Sequence, residues 1–452
     1  MVKNKKKIVI LGSGFAAVEC AKKLEKEFGN DPEVELTMVG EDNFLLFTPM
    51  LPQVASGMIE TRHIVFPIRT ICKKTKFYEG RIKNIDPHGK LVTLWGTREK
   101  RSISINYDFL VVALGSETNF FGMADVEKNA YTMKTLNDAI LLRNRVIDML
   151  EQAENETDPI LRKGMLNFVV VGGGYAGIET AGELLDLLFD ATKHYPTIQK
   201  EDVKVIVLEA MGEILGGANK KLANFAKEQL TKRGMNIQLK KAVTSFDGNE
   251  VMIKSLDETP KDSIDQSEVS SIITKTLIWT AGITSVSTIK RSMFKTDKGK
   301  IVVNKFLEIK EFPGVFAIGD CALFVDPITN RPLPPTAQIA EAQAKLAAKN
   351  LVATIKNSEK EKFVYQSKGQ LAIIGKRTGI ATILGMNISG FLAWLIWRNV
   401  YLSKVPTFDK KTRVFLDWMI DLFFDRDVSR LNYIKRETEK EYKLLDEVDD
   451  LW

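Results

Sequence analysis

Two glycine clusters, each directly after a short apolar run, constrain the fold of this chain more than any other feature of its sequence. The first is Gly12-Ser-Gly14-Phe-Ala-Ala17 after residues 8–11, and the second is Gly172-Gly-Gly-Tyr-Ala-Gly177 after residues 168–171. Each pattern predicts a buried strand, a tight turn and a helix whose N-terminus can bind a pyrophosphate. Because the two units lie 160 residues apart, we expect two nucleotide sites on two similar sheets.

An acidic residue follows the next predicted strand of each unit. Glu41 and Asp42 follow residues 34–39, and Glu209 follows residues 203–208. A carboxylate at this strand end can bind ribose hydroxyls and disfavours a 2′-phosphate. We therefore expect the second site to prefer NADH to NADPH.

Three further apolar runs predict strands that complete an α/β fold. The runs 109–115 and 276–282 end in Gly115 and Gly282, where the backbone can approach a nucleotide closely. The run 314–320 ends in Asp320, which can accept hydrogen bonds from a ribityl chain or cap a helix.

Composition excludes several classes of protein. A chain of 452 residues predicts two or three domains. The net charge of +6 is small for this length and does not predict a nucleic-acid partner. No uncharged apolar run reaches the ~20 residues of a spanning helix, and residues 8–11 are too few for a signal sequence. The three histidines and the three cysteines lack metal-ligand spacing, so we predict no metal site; the cysteines are Cys20, Cys72 and Cys321.

The C-terminal part is rich in aromatic residues. Residues 414–424 place Phe415, Trp418, Met419 and Leu422 at helical spacing, and acidic residues form a separate stripe. This pattern predicts an amphipathic helix that lies in a bilayer interface with Trp and Phe on its apolar side. The alternatives are that it packs on the protein's own core or in a homodimer. We interpret residues 254–271 as a surface loop and residues 435–452 as a charged, solvated tail.

Six motifs in fixed order give the chain a family resemblance. They are Gly12-x-Gly14-x-x-Ala17, Leu46-Phe-Thr48-Pro49-Met-Leu-Pro52, the Gly172 motif continuing into Glu179-Thr-Ala-Gly-Glu183, Trp279-Thr-Ala-Gly282, Phe316-Ala-Ile-Gly319-Asp320 and Thr336-Ala337-Gln338-Ile-Ala340. Together they resemble the type II (alternative, single-subunit) NADH:quinone oxidoreductases, within the flavoproteins that have two dinucleotide-binding domains.

The resemblance implies an α/β fold with two Rossmann-like domains and a C-terminal membrane-anchoring helical region. The implied division is an FAD domain from residues 1–122 and 296–364, an NADH domain from 123–295, the anchoring region 365–434 and the tail 435–452. The implied reaction is FAD-dependent oxidation of NADH with two-electron reduction of a membrane quinone, without proton pumping. The implied location is the cytoplasmic side of the cell membrane.

The resemblance also implies which residues bind the cofactors. Those expected at FAD are Gly12, Gly14, Ala17, Glu41, Thr48, Pro49, Ala113, Gly115, Gly319, Asp320 and Ala337. Those expected at NADH are Gly172, Gly174, Gly177, Glu209 and Gly282. In the family the carboxylate for the FAD ribose ends the second strand, where this chain has Gly40, so Glu41 or Asp42 would replace it.

Two residues are predicted to act on the quinone. Glu179 matches a family glutamate and lies one helical turn before Glu183, and paired carboxylates can share a proton. The alternative is that both are ordinary helix glutamates. Gln338 matches the first of two family glutamines, but the second position holds Ala342. Gln343 is displaced by one residue, or ~100° on a helix, and we predict it to be a surface residue.

Two other functions are compatible with much of this pattern. Sulfide:quinone oxidoreductases have similar folds, but they use paired cysteines beside the flavin, and here only Cys321 adjoins a flavin motif. A non-catalytic, redox-sensing flavoprotein that binds NADH is the third reading. The enzyme should regain oxidised flavin rapidly when quinone is added, and the sensor should not.

Overall fold

The computed structural model describes residues 5–96, 102–256 and 269–430. Most of the predicted loop 254–271 and the whole tail 435–452 lie outside these ranges. The first segment of the chain alternates strands with three helices: β1 (Lys6–Leu11), α1 (Phe15–Phe28), β2 (Val34–Gly40), β3 (Phe44–Leu46), α2 (Leu51–Ala55), β4 (Val65–Pro67), α3 (Ile68–Ile71), β5 (Lys76–Asp86), β6 (Leu91–Gly96), β7 (Ser102–Asn106), β8 (Phe109–Val112) and β9 (Glu117–Thr118).

The middle segment forms a second sheet of the same kind. Its elements are α4 (Ala124–Asn129), β10 (Tyr131–Thr132), α5 (Leu136–Asn155), α6 (Pro159–Leu166), β11 (Asn167–Val171), α7 (Tyr175–Ala191), β12 (Lys204–Glu209), α8 (Lys220–Lys232), β13 (Asn236–Leu239), β14 (Lys241–Phe246), β15 (Glu250–Ser255), β16 (Val269–Ile273), β17 (Thr276–Trp279) and β18 (Ile283–Thr284). The order β10-β17-β11-β12-β13 is parallel throughout. β14, β15 and β16 form a separate antiparallel sheet.

The ends of the predicted loop 254–271 belong to this antiparallel sheet. Lys254 in β15 pairs with Val269 in β16, and Met252 pairs with Ser271. The loop prediction is therefore wrong at both ends, because the polar residues Lys254, Ser270 and Ser271 are held in the strands by pairing that composition does not reveal.

The chain then returns to the first sheet. This segment contains α9 (Ser287–Lys290), β19 (Thr296–Asp297), β20 (Lys300–Val302), β21 (Val315–Ala317), β22 (Ala322–Leu323), β23 (Val325–Asp326), β24 (Arg331–Pro332) and α10 (Ala337–Ile355). β21 pairs in parallel with β8, which gives the sheet order β21-β8-β1-β2-β5-β6-β7. α10 packs against α1. The predicted α/β fold with two Rossmann-like sheets is confirmed.

A pair of two-residue strands lies where the chain passes between the two sheets. β9 precedes the middle segment and β18 is its last strand, and the two pair antiparallel through Thr118 with Ile283 and Glu117 with Thr284. The segment between them therefore leaves and rejoins the rest of the molecule at one place.

The C-terminal region is only partly helical. It begins with an antiparallel sheet of β25 (Gln370–Ile373), β26 (Gly379–Ile383) and β27 (Met386–Gly390), against which α11 (Phe391–Lys404) packs, and α12 (Phe408–Phe423) follows. Within the ranges that the structure describes, no helix is long and apolar enough to cross a membrane.

The helix α12 turns Trp418, one residue of its predicted apolar stripe, towards the protein. Trp418 is 2% exposed and donates from Nε1 to Gln53 Oε1 at 3.0 Å. Asp417 Oδ2 lies 2.5 Å from His63 Nδ1. The prediction that Trp418 lies on an outward apolar side is thus wrong, because Trp418 and part of the acidic stripe find polar partners inside. The outward residues are Phe415, Leu416, Met419, Ile420 and Phe423.

Candidate active site

The two glycine turns have nearly the same geometry. Gly12 and Gly172 adopt φ values of +112° and +104°, in the left-handed region that favours glycine. Gly12 donates its N–H to Val39 O at 2.7 Å, and Gly172 donates to Leu208 O at 2.8 Å. A Cβ on Gly12 would lie 2.2 Å from Ala113 O, so no other residue fits this turn.

The helices after these turns begin without a side-chain cap. Gly14 precedes α1 and Gly174 precedes α7, and a Cβ on either would meet no atom within 4 Å. The first N–H groups of each helix therefore border open space, as a bound pyrophosphate requires. Gly177 lies so close to the turn that a Cβ would be 1.9 Å from Gly172 O, and Ala17 is fully buried at the matching place. The turns fit the pyrophosphates of FAD and NADH.

The second turn carries a carboxylate at the end of β12. Glu209 Oε2 accepts from the N–H of Gly173 at 2.5 Å, and Oε1 accepts from the N–H of Met211 at 2.7 Å. The acidic side chain is therefore fixed beside the glycine turn, where the sequence pattern places the NADH ribose.

The first turn is built differently at the same place. β2 ends in Gly40, and a Cβ there would lie 2.8 Å from the Cβ of Ser13, the residue that takes the place of Gly173. The next residue, Glu41, has a side chain that is 69% exposed and lies 3.9 Å from Arg81 Nε. Asp42 is also exposed. Neither occupies the position that Glu209 holds in the second sheet.

A hydrogen-bonded chain links Asp320 to the middle segment. Asp320 lies in a 3₁₀ turn, Gly319–Cys321, and its Oδ2 accepts from Ser116 Oγ at 3.0 Å. Ser116 Oγ in turn accepts from Lys134 Nζ at 2.8 Å. Burial lowers the pKa of Lys134, and the Asp320 carboxylate opposes that shift. Asp320 could be predicted from its motif, whereas Ser116 and Lys134 lie outside any motif and were not predicted.

Gln343 is a buried residue of the same region, not a surface residue. It is 2% exposed, and its Oε1 accepts from the N–H of Gly319 at 2.7 Å. The surface prediction is wrong because the face of α10 that carries Gln343 packs towards the Gly319–Cys321 turn. The side chain thus supports the turn that carries Asp320.

Glu179 on α7 lies in surroundings that favour its protonated form. Burial raises the pKa of Glu179 to about 8, and the nearby charge of Glu183 adds to the shift. Two groups oppose it: the N–H of Ile373, which donates to Glu179 Oε1 at 3.1 Å, and the indole N–H of Trp397. That indole is buried, and its Nε1 has no hydrogen-bond partner of good geometry among the described residues.

Glu179 and Gln338 both contact the short segment 369–373, which contains β25. Ile373 contacts Glu179, and Gln338 Nε2 donates to Gly369 O at 3.4 Å. Between these contacts, Tyr175 OH donates to Gln370 Oε1 at 2.8 Å. The two predicted quinone residues therefore contact opposite ends of one short strand of the C-terminal sheet, although they come from α7 and α10.

An aromatic group lies between this segment and the predicted flavin motif. The rings of Phe47 and Tyr401 are 6.3 Å apart, and those of Tyr401 and Trp397 are 4.3 Å apart. Burial raises the pKa of Tyr401, with a smaller contribution from Glu179. Phe47 directly precedes Thr48 and Pro49. Trp397 and Tyr401 were not singled out within the aromatic-rich C-terminal part; their spacing of four residues, which puts them on one face of a helix, is the signal that could have identified them.

The three cysteines do not form a thiol relay. All are buried and unpaired. Burial raises the pKa values of Cys20 and Cys72 to about 12 and that of Cys321 to about 11. Cys321 Sγ lies 3.2 Å from Ile318 O, so the thiol beside Asp320 packs into the sheet.

A cavity of about 320 Å³ lies beside α12. Its lining includes Glu60, Arg143, Asp417, Asp421 and Arg426. None of the residues that the sequence predicts for cofactors or quinone lines it.

Comparisons with known proteins agree along almost the whole chain. The family model of the pyridine nucleotide-disulphide oxidoreductases matches residues 6–344, and that of the NDH2 C-terminal domain matches residues 367–427. A probable NADH dehydrogenase of Dictyostelium discoideum is 32% identical over 431 residues, covering 94% of this chain and 91% of that protein. The type II NADH:quinone oxidoreductase Ndh of Mycobacterium tuberculosis is 32% identical over 435 residues, covering 93% and 89%.

Two solved structures show the same fold at low sequence identity. NDH2 from Plasmodium falciparum in complex with NADH superposes with a TM-score of 0.84 at 20% identity, covering 94% of this chain and 100% of that one. The sulfide:quinone oxidoreductase of Aquifex aeolicus gives a TM-score of 0.70 at 16% identity, covering 93% and 96%.

Proposed function

Because the chain belongs to the type II NADH:quinone oxidoreductases, we propose that its two glycine turns and the residues around Glu179 form one active site. The protein is an FAD-dependent enzyme that oxidises NADH and reduces a quinone. The observation that carries the assignment of the site is the position of Glu179. It lies on the helix that opens at the second turn, and it contacts the C-terminal sheet.

We assign FAD to the first turn and NADH to the second. Gly12, Gly14 and Ala17 would hold the FAD pyrophosphate, and Gly172, Gly174 and Gly177 would hold that of NADH. Bound FAD supplies the redox chemistry by accepting a hydride from NADH and passing two electrons to the quinone. Other residues proposed to border FAD are Thr48, Pro49, Ala113, Gly115, Gly319, Asp320 and Ala337, with Glu41 or Asp42 at its ribose.

The carboxylate of Glu209 sets the choice of dinucleotide in this proposal. Its two oxygens are already oriented by the N–H groups of Gly173 and Met211, which fixes the negative charge beside the turn. A ribose hydroxyl can donate to such a carboxylate, whereas a 2′-phosphate is repelled by it. Gly282, at φ +74° after β17, is proposed to let that strand end approach the same nucleotide.

Glu179 is the proposed source of a proton for the quinone. Quinone reduction consumes two electrons and two protons. Since the pKa of Glu179 is raised mainly by burial to about 8, the carboxyl is protonated at neutral pH and can donate. Gln338, which borders the same segment, is proposed to orient a quinone carbonyl through its amide.

Glu179→Gln tests this role. A positioned general acid contributes ~10²- to 10⁴-fold, so quinone turnover should fall by about 100-fold or more while anaerobic flavin reduction by NADH keeps its rate. Stopped-flow absorbance separates the two half-reactions. Glu228→Gln, an exposed position on α8, is the matched control. Full quinone turnover by Glu179→Gln would refute the role of Glu179.

The same experiment distinguishes the other functions. In the enzyme proposed here, NADH bleaches the flavin, quinone restores it rapidly, and sulfide does not bleach it. Slow recovery with quinone would favour a redox sensor. Bleaching by sulfide would favour a sulfide:quinone oxidoreductase, for which the buried cysteines offer no accessible pair.

We further propose that α11 and α12 attach the enzyme to the cytoplasmic side of the cell membrane without spanning it. The C-terminal apolar face consists of the exposed residues Phe391, Leu392, Leu395, Phe415, Leu416, Met419, Ile420 and Phe423. Large exposed apolar surfaces of this kind are typical of membrane or protein contacts. We favour the bilayer because the quinone is lipid-soluble; a second copy of the chain is the alternative occupant.

The sheet order supports the proposed division of the chain. Residues 1–122 and 296–364 would form the FAD domain, because β21 rejoins the sheet of β1 and β8. Residues 123–295 would form the NADH domain and residues 365–434 the region that attaches to the membrane.

A further inference from the structure

Arg426 is a buried cation near the end of the described chain. It follows α12 by three residues, and its side chain is 3% exposed. Its Nη2 lies 3.0 Å from Glu183 Oε2, and its Nη1 donates to Glu183 O at 2.9 Å. Its Nε donates to Asp421 Oδ1 at 3.2 Å. All three nitrogens therefore have partners, which a charge needs when it is removed from water.

Glu183, the partner of Arg426, lies one turn after Glu179 on α7. Its side chain is 2% exposed, and Oε2 also accepts from Ser56 Oγ at 2.9 Å. Residues four apart on a helix share a face, so a charge on Glu183 acts at close range on Glu179. Burial is the larger cause of the raised pKa of Glu179, and the Glu183 charge works in the same direction.

The charges packed around this pair balance one another. The charge cluster consists of three guanidinium groups and three carboxylates: Arg233, Arg398, Arg426, Glu183, Asp186 and Asp421. Arg233 pairs with Asp186, and Arg398 Nη2 lies 4.0 Å from Asp421 Oδ2. The net charge of the cluster is zero when all six are ionised.

Two members of the charge cluster have shifted pKa values that still leave them ionised at neutral pH. Burial lowers the pKa of Arg398 only to about 10, and burial raises that of Asp186 to about 6. Lys376 and Arg377 lie at the exposed edge. Tyr175 and Tyr401 also lie near Glu179. Burial, with a smaller contribution from the Glu179 charge, raises the pKa of each, so both phenols are neutral.

We propose that Arg426 is a positioning residue for Glu179. It holds Glu183 as a carboxylate. Because the charges of the cluster then balance, ionisation of Glu179 would add an uncompensated negative charge, so Glu179 keeps its proton. Arg426 belongs to the C-terminal region and Glu179 to the helix of the second glycine turn. The contact therefore couples the packing of α12 against the protein to the protonation of Glu179. This inference rests on the function proposed for Glu179.

Infrared titration of the full-length, FAD-bound protein tests the proposal without relying on turnover. The band of a protonated carboxyl that is missing in Glu179→Gln reports Glu179, and it should titrate near pH 8. Glu183→Gln keeps an oxygen for Arg426 and Ser56 but removes the charge, so the midpoint should fall by about one pH unit. In Arg426→Gln, Glu183 loses its cation and should gain a proton, which gives a new carboxyl band. The double variant Arg426→Gln/Glu183→Gln should lack this band.

Two further variants separate charge from packing. Arg426→Lys keeps a cation and should give no new band, whereas a purely structural role predicts that the Lys and Gln variants behave alike. Arg430 lies on the same segment as Arg426 and forms a surface ion pair with Asp148. Arg430→Gln removes that pair and should neither shift the Glu179 band nor produce a Glu183 band. An unchanged midpoint in Glu183→Gln, or no new band in Arg426→Gln, overturns the proposal. If Arg426→Gln does not fold, the Glu183→Gln titration decides alone. Full quinone turnover by Glu179→Gln refutes the proton role but leaves the infrared result standing.

Discussion

Glu179 affects the stability of the protein as well as its chemistry. Its pKa rises from 4.5 to about 8 in the folded state, chiefly through burial, so the folded state binds more protons than the unfolded state between these values. Stability from this group is complete below about pH 4.5 and is lost as the pH rises through about 8. The free energy of unfolding should therefore fall with pH less steeply in Glu179→Gln than in the unaltered protein. Urea unfolding at a series of pH values measures both slopes, and equal slopes would contradict the environment described for Glu179.

The Glu209 carboxylate should determine discrimination against NADPH. Glu209→Gln retains an oxygen for the turn but removes the negative charge. Removing one like charge near a phosphate changes binding by ~1 to 4 kcal/mol, so the ratio of kcat/KM for NADH to that for NADPH should narrow by about fivefold or more. Steady-state kinetics with both dinucleotides measures the ratio.

Glu213→Gln provides the control for Glu209→Gln, since Glu213 is exposed and follows Glu209 in the same loop. An unchanged ratio in Glu209→Gln would mean that another residue selects the dinucleotide.

The conformation and surroundings of a residue could be predicted from the sequence where neighbouring residues determine them. Gly12 and Gly172 need positive φ within a turn that adjacent residues define, and Glu209 follows a strand directly. Gln343 and Arg426 could not be predicted in this way. Gln343 contacts Gly319 across 24 residues, and Arg426 contacts Glu183 across 243 residues. Their surroundings exist only after distant elements have packed.

At the scale of elements, α12 shows the limit of helical periodicity. The periodicity predicted an amphipathic helix, but which face turns inward depends on partners that the periodicity does not contain. Gln53 offers an acceptor to the Trp418 indole, and His63 and Arg426 offer partners to Asp417 and Asp421. These polar contacts turn Trp418, Asp417 and Asp421 inward and leave Leu416, Ile420 and Phe423 outside.

Replacing Leu416, Ile420 and Phe423 together by Ser should weaken attachment to vesicles. Burying one such side chain contributes ~1.5 to 3 kcal/mol, so the triple change should reduce partitioning into lipid vesicles more than 100-fold. Co-sedimentation with vesicles of neutral lipid measures this. The control replaces three exposed residues on other surfaces, Met211, Met293 and Ile328, by Ser. Unchanged partitioning would refute membrane attachment, and loss of a dimer instead would assign the face to a second copy.

At the scale of the whole molecule, the C-terminal region is part of the folded body. Trp397 is 1% exposed and Trp418 2%, and Arg426 contacts the helix of the second glycine turn. A chain that ends at Gly390 should therefore lose FAD and unfold rather than simply leave the membrane. Loss of each buried Trp costs ~3 to 5 kcal/mol against a typical total of ~5 to 15 kcal/mol.

Thermal unfolding and the retained flavin absorbance measure this effect. A chain that ends at Arg430 keeps all the contacts named here and is the comparison. If the shorter chain retains FAD and the same Tm, the C-terminal region is an independent attachment.

The arrangement of the two sheets could be predicted because each glycine motif specifies a strand, a turn and a helix. The C-terminal sheet could not, because β25 to β27 carry no such motif. Residues 369 and 370 nevertheless contact Gln338 and Tyr175, so a region predicted to be helical provides one wall of the candidate site.

The pairing of β9 with β18 has an evolutionary consequence. Thr118 lies opposite Ile283, so the segment that carries the second nucleotide site begins and ends side by side. A segment with adjacent ends can be inserted into a host fold, or removed from it, with only a short closure of the chain. This geometry permits the ancestral gene to have gained its second site in a single recombination event. It also permits a compact one-site descendant, made by joining residue 118 to residue 283.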